Sequence, residues 1–380
     1  MTSNANSDDS SVESSIDEYY CDTCELDREA LGHMKSNDPD WGAFYVDVNC
    51  DAHFNDFLFD PLSIDWEEEK FALSKSRHVK LLEIRDLQQG SEEHHWLCIE
   101  NQEERIKNAK AFYSAVAANR SCKHFLIEGN ITYGLEMKDT VAILRPFIQN
   151  NNKLCSLKLS HFTLDAKTAQ ILACALSQCA GSLRSFGLKR CENLTGRSME
   201  KIVNVLKVKS NIKKLSLDEN DINDEAAAVL GDASATLSLK SLSLRGNYGS
   251  ISPAGMEAIL HGLSSTLQSL SFSHFPIGVE GGLFLAEVVS NNFASMLKEL
   301  DITCALHSGN IVLSREGWDM FFDLLSNSSL HKLRLGGNNI PDDAIPSMVE
   351  CLNSMTSLTT VDLWYCFNVT DSGWANFFRQ

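Results

Sequence analysis

A nine-residue phrase, apolar-x-x-apolar-x-apolar-x-x-Asn, returns again and again along this 380-residue chain. It reads Ile212-x-x-Leu215-x-Leu217-x-x-Asn220, then Leu239-x-x-Leu242-x-Leu244-x-x-Asn247, then Leu330-x-x-Leu333-x-Leu335-x-x-Asn338. Looser copies begin at Cys122, Leu154, Leu183, Leu267, Leu297 and Leu358, so successive starts lie 27 to 33 residues apart. A fixed period of this size specifies a solenoid, in which each unit buries its apolar face only against its neighbours.

The fourth and sixth positions are apolar in all nine units, from Phe125/Ile127 to Val361/Leu363. Two apolar residues flanking one variable residue fit a short strand with one buried face. Helical stretches follow, such as Asp224–Ala233 and Pro253–Leu263, with start signals at Ser252-Pro253 and Thr370-Asp371. Strand, helix and strand in one direction make the strands parallel. The fold expected is an α/β solenoid, a right-handed horseshoe of about nine repeats with a parallel concave sheet and outer helices.

The ninth position has its own physical reason. A turning backbone strands amide and carbonyl groups, and a buried Asn side chain satisfies both kinds. Asn130, Asn220, Asn247 and Asn338 fit that role, with Cys191 and Cys366 as small substitutes. Phe162, Phe275 and Ala305 cannot make those bonds, so their turns are expected to be looser or differently built.

These features resemble the leucine-rich repeat family, and residues 215–230 (LSLDENDINDEAAAVL) are especially similar to its ribonuclease-inhibitor-like class. Residues 188–199 and 363–374 resemble instead the cysteine-containing variant found behind F-box domains. The resemblance covers roughly residues 122–380. It implies a binding scaffold rather than one particular partner, because the family serves many unrelated ones.

Charge is divided unevenly. Residues 1–70 carry a net −16 and residues 71–380 only −2. The chain reads as an acidic disordered segment (1–40), an acidic-aromatic segment with an irregular N-terminal cap (41–121) and the solenoid (122–380). Trp41, Phe44, Tyr45, Phe54, Phe57, Phe59 and Trp66 either cap the first end of the solenoid or dock on a partner. The phrase Val79-x-x-Leu82-x-Ile84 is a candidate irregular first unit. No apolar run is long enough to span a membrane, and the first 15 residues lack the basic start and apolar core of a secretory signal. Twelve scattered cysteines then fit reduced thiols, and a cytoplasmic or nuclear location is expected.

Cys21-x-x-Cys24 and Cys50-x-x-His53 have the residue types of a tetrahedral zinc site. The mixed second doublet and the acidic surroundings favour chance pairing, so no metal or other cofactor is expected. G-x-S-x-G, phosphate-loop and H-E-x-x-H motifs are absent, and no histidine stands in a recognisable catalytic group. The expected function is non-enzymatic: a scaffold or adaptor for a protein partner, with no small-molecule substrate.

Candidate contact residues are read from the outward strand positions. Lys158, Lys189, Lys214, Arg245, Lys332, Arg334 and Trp364, with Tyr365 beside them, break an otherwise small, Ser-rich inner surface. Trp, Tyr and Arg dominate binding energetics. The second phrase position forms another row, Lys123, Arg184, Lys213, Lys240 and Lys298 among its nine residues, which is either a soluble edge or a strip for something acidic. Nucleic acid is disfavoured by the negative total and by the lack of aromatics interleaved with basic residues. The long unit holding Ala305–Leu313 should place a loop on one rim. Two alternatives belong to other classes: a GTPase-activating regulator of the Ran switch, built from similar repeats, and an adaptor in ubiquitin-linked protein turnover.

Overall fold

The computed structural model describes residues 43–47, 70, 74, 76–77, 79–85, 102–128, 135–179, 182–208, 211–248, 251–292, 296–308 and 311–379. Cys21, Cys24, Cys50, His53 and Asn130 lie outside them, as does the whole acidic segment 1–40.

The sheet follows from the apolar pair. Strands β1 (Ala43–Asp47), β2 (Leu81–Arg85), β3 (His124–Glu128), β4 (Ser156–Ser160) and β5 (Ser185–Lys189) lie side by side. They continue through β6 (Lys214–Ser216), β7 (Ser241–Ser243), β8 (Ser269–Ser271), β9 (Glu299–Asp301), β12 (Lys332–Arg334) and β13 (Thr360–Asp362). All 11 form one parallel sheet in chain order. The register pairs like with like, Leu157 with Phe186 and Leu215 with Leu242, so each apolar pair stacks on the next. Both β1, inside the aromatic stretch, and β2, from the Val79 phrase, belong to this sheet. It therefore starts two strands before the first nine-residue copy.

Among the described residues, ten α-helices back the sheet. They are α1 (Gln102–Val116), α2 (Met137–Asn150), α3 (Ala166–Gln178), α4 (Gly196–Val208) and α5 (Asp224–Thr236). The rest are α6 (Pro253–His261), α7 (Gly278–Asn292), α8 (Arg315–Leu325), α9 (Ile345–Ser354) and α10 (Asp371–Phe377). Both expected caps are present: Ser252 accepts from Gly255 N and Thr370 from Gly373 N. Packed helices need 8–10 Å between axes while paired strands need only about 4.8 Å, so such a stack curves with its strands inside. One continuous core runs between the layers, from Val79 to Val369.

The ninth-position Asn residues lie buried in the turns and bond in both directions. Asn338 Oδ1 accepts from Ala305 N (3.0 Å) and Leu306 N (2.9 Å), and its Nδ2 donates to Ile302 O (2.9 Å) and Leu335 O (2.8 Å). Asn247 Nδ2 donates to Leu217 O (2.8 Å) and Leu244 O (2.7 Å), and its Oδ1 accepts from Asn220 N (2.9 Å). Cys191 and Cys366 imitate half of this, donating weakly from Sγ to Leu159 O (3.8 Å) and Leu335 O (4.0 Å). Burial pushes these thiols up to about 12 and about 11, so both keep the proton they donate.

The turns that end in Phe162, Phe275 and Ala305 are not looser. Every unit from Leu154 onward places its eighth residue in the left-handed region: His161, Arg190, Glu219, Gly246, His274, Cys304, Gly337 and Tyr365, with φ between 48° and 67°. The N–H of that residue donates to the seventh-position carbonyl of the next unit, as Arg190 to Asp218 (3.1 Å), Cys304 to Gly336 (2.8 Å) and Gly337 to Trp364 (2.8 Å). Each unit thus holds the turn before it, and a missing Asn is tolerated. Only two of the eight are glycine, although a left-handed residue costs an ordinary side chain about 1–2 kcal/mol. At Gly337 a Cβ would lie 2.1 Å from Cys304 Sγ, so a larger residue there requires the Cys304 side chain to turn away.

The long unit carries a small antiparallel ribbon of β10 (His307–Ser308) and β11 (Ile311–Val312) rather than a plain loop. Its base is fixed on both sides. Ala305 O accepts from Ile277 N (3.0 Å), and Leu306 N donates to Asn338.

Candidate functional site

The inner face of the sheet takes its side chains from phrase positions three, five and seven. The register sets the fifth positions side by side: Lys158, Gly187, Ser216, Ser243, Ser271, Asp301, Arg334 and Asp362. The eight sequence candidates do not converge on one spot. Lys158, Lys189 and Lys214 occupy β4 to β6, Arg245 follows β7, and Lys332, Arg334, Trp364 and Tyr365 gather at β12 and β13. Between the groups lies a floor of serines, Ser241, Ser243, Ser269, Ser271 and Ser273.

Several of these cations are already matched. Arg334 faces Asp301 at 3.7 Å. Glu219 bridges Lys189, at 3.4 Å, and Arg190. Partial burial raises the Glu219 carboxyl, but the hydrogen bond from Arg190 and the two positive charges outweigh it and hold the group below its ordinary value. Asp218 is occupied too. It accepts from Ser216 Oγ (2.7 Å), Ser243 Oγ (2.5 Å) and Arg245 N (2.9 Å), which stiffens the middle of the face. Lys158 lays its stem over Gly187, where a Cβ would come within 3.2 Å of Lys158 Cγ.

The C-terminal group is different because its aromatics face solvent. Trp364 is 48% exposed, Tyr365 57% and Phe367 79%. They form a ladder, with Trp364 and Tyr365 ring centroids 4.3 Å apart and Tyr365 and Phe367 5.1 Å apart. The Trp364 indole lies against the backbone of the preceding unit. A Cβ on Gly336 would be 2.5 Å from its Cδ1, so the absence of that carbon seats the ring. Exposure at these positions comes from the repeat geometry. Positions eight and ten look outward in interior units as well, as exposed Arg190 and Glu192 and the 72%-exposed Tyr248 show.

Sequence reading singled out Trp364 and Tyr365 but passed over Phe367 and Tyr248. The signal was available as phrase position ten, the second outward position after the turn. The left-handed eighth position was also legible only in part, since Gly246 and Gly337 advertise it and the other six residues do not. Among the described residues no group of His, Cys, Asp and Glu could hold a metal ion, and no helix is long and apolar enough to cross a membrane.

Comparison with known proteins agrees with the repeat. The family model described as Leucine Rich repeat matches residues 208–231. Over 217 residues, 56% of this chain, the sequence is 30% identical to NACHT, LRR and PYD domains-containing protein 3 of Bos taurus. The matched part spans only 20% of that protein. Among solved structures, a chain of the yeast Rad7 and Elc1 complex aligns over 71% of this chain and 70% of its own, with 16% identity and a TM-score of 0.42. A chain of the TLR13-ssRNA13 complex aligns over 79% of this chain and 38% of its own, with 15% identity and a TM-score of 0.37. With nine copies of the phrase, a single parallel sheet inside a row of helices and the family match at residues 208–231, the chain has the fold of an α/β leucine-rich-repeat solenoid.

Proposed function

We infer that this protein is a non-enzymatic interaction scaffold that grips a protein partner with the C-terminal quarter of its inner face and the adjoining rim. The observation that carries this reading is the exposed ladder of Trp364, Tyr365 and Phe367 beside Lys332 and Arg334. Aromatic and Arg side chains supply most interface energy, and rigid rings lose little entropy on binding. The Gly336 seat and the T-shaped packing hold Trp364 and Tyr365 before a partner arrives. The Ser floor contributes fit rather than affinity.

The repeat is of the ribonuclease-inhibitor-like kind in this reading, which the unit lengths and the helical outer layer support. A reducing compartment, cytosol or nucleus, suits Cys191 and Cys366, whose turn bonds require a free S–H. Nothing in the site favours a GTPase regulator over a plain scaffold.

The test uses full-length protein as bait in an extract, followed by mass spectrometry and a binding titration with the partner recovered. Replacing Trp364 and Tyr365 together by Ala is expected to weaken the partner by at least about 30-fold, roughly 2 kcal/mol or more. The denaturation midpoint should move little, because neither ring is part of the core. Undiminished affinity in the double variant would remove the ladder from the interface.

A further inference from the structure

The edge of the sheet where the strands begin carries a run of positive charge that the scaffold reading does not use. We propose that this edge is a docking surface for residues 1–42 of the same chain. Its cations sit at the second phrase position or within two residues of it: Lys80 ahead of β2, Lys123 ahead of β3, Lys153 ahead of β4, Arg184 ahead of β5, Lys213 and Lys214 at β6, and Lys240 ahead of β7. Lys80 joins the row only through the structure, because β2 pairs with β3 and Lys80 O accepts from Lys123 N (2.7 Å) and His124 N (2.9 Å).

Three observations make this a surface rather than a scatter of charges. First, no carboxylate interrupts it, since residues 79–82, 121–124, 153–156, 182–185, 211–214 and 238–241 contain no Asp or Glu. Six adjacent strands at about 4.8 Å each put the seven cations within roughly 25 Å. Beyond β7 the pattern ends, with Gln268 at β8 and Lys298 followed by Glu299 at β9.

Second, the backbone beneath is fixed. Each second-position carbonyl accepts two N–H groups from the next unit, as Lys123 O from Cys155 and Ser156 (2.7 and 3.0 Å) and Lys213 O from Lys240 and Ser241 (2.7 and 3.0 Å). The spacing of the row is therefore set by the sheet. Arg184, Lys240, Lys80 and Lys153 are exposed, and Lys213 is half-buried with only a long bond from Nζ to Ser238 O at 3.4 Å.

Third, the occupant is delivered to this edge by the topology. All strands of the sheet are parallel, so Ala43, the first residue of β1, lies on the same edge as the second-position cations, one strand from Lys80. The 42 residues joined there carry 11 acidic and 2 basic side chains, a net −9. Their contour reaches up to about 140 Å, far beyond the row, so length sets no limit. Tethering raises the effective concentration to the millimolar range, enough to make weak exposed ion pairs count together. Residues 1–42 hold −9 of the chain's −18, so a separate polyanion meets the repulsion of both halves, whereas the tethered segment meets only the −9 of the rest and already starts at this edge.

Full-length protein treated with a zero-length carbodiimide reagent, which couples carboxylates to lysines in contact, tests the assignment. At about 20 mM salt, couplings from residues 8–40 should fall chiefly on Lys123, Lys153, Lys213 and Lys240, and should drop at least about fivefold near 500 mM salt. A variant with Arg184→Glu and Lys240→Glu keeps Lys123 and Lys213 as reporters, and their couplings should fall by a similar factor. Circular dichroism of that variant checks that the fold is intact. Couplings spread over remote lysines such as Lys107, Lys201 and Lys332 would overturn the proposal. So would reporters unaffected by the double substitution. Mixing isotopically light and heavy protein separates the remaining occupant: light-heavy couplings as frequent as light-light ones would assign the edge to a second copy and reject the intramolecular contact.

Discussion

Replacing Asn338 by Ala should lower the stability of the solenoid by about 3–5 kcal/mol, the largest loss expected from removing a single polar side chain here. Four hydrogen bonds disappear at once, from Ala305 N and Leu306 N and to Ile302 O and Leu335 O. Asn338 is 1% exposed, so water cannot replace them without opening the turn. A buried polar group left unpaired costs about 1–3 kcal/mol, and relaxation will recover part of the sum. The damage is not confined to one unit, because Leu306 also anchors the β10–β11 ribbon. Urea denaturation of the variant, with exposed Asn353→Ala as control, measures this. The control should shift by less than about 0.5 kcal/mol. Equal midpoints for the two variants would show that the ninth position does not hold the turn.

Gly231→Ala should also destabilise, and the sign is what matters. On an open helix face this change stabilises by up to about 1 kcal/mol, since Gly is a poor helix former. In α5, however, a Cβ at position 231 would lie 2.1 Å from Ala258 O of α6. The contact is reciprocal, as a Cβ on Gly262 would lie 2.0 Å from Gly231 O. The two glycines let neighbouring helices approach backbone to backbone, and an added methyl group forces them apart. Overpacking of this kind costs about 1–3 kcal/mol, and the clash here is with backbone that cannot swing aside, so it outweighs the gain in helix propensity and a net loss of about 1–2 kcal/mol is expected. A raised denaturation midpoint would mean that the helices separate freely at this point.

Much of this architecture could be read from the chain because the repeat states the same fact nine times. The pairs from Phe125/Ile127 to Val361/Leu363 gave strand position, buried face and parallel direction together, and Ser252 and Thr370 marked the helix starts. What escaped has local physical reasons. Strand β1 contains no full phrase, and its pairing with β2 is a long-range event with no signal in residues 43–47. The Gly231 and Gly262 approach depends on the distance between two helices, which composition does not reveal. The turns at Phe162, Phe275 and Ala305 looked weak because their own side chains cannot bond, whereas the backbone ladder from the following unit does the work. On the inner face, charge alone could not show that Arg334 and Lys189 already face Asp301 and Glu219. The aromatic ladder was half visible. Trp364 and Tyr365 stood out by type, and Phe367 needed the geometry of the tenth position.

Amide hydrogen exchange, compared between the free protein and the protein saturated with its captured partner, tests the binding surface most directly. Protection is expected at residues 332–337 and 360–367, with smaller changes along the Ser floor of β7 and β8 and none on the outer helices α3 to α6. Protection confined to those outer helices, with 360–367 unchanged, would contradict recognition by the C-terminal inner face and rim.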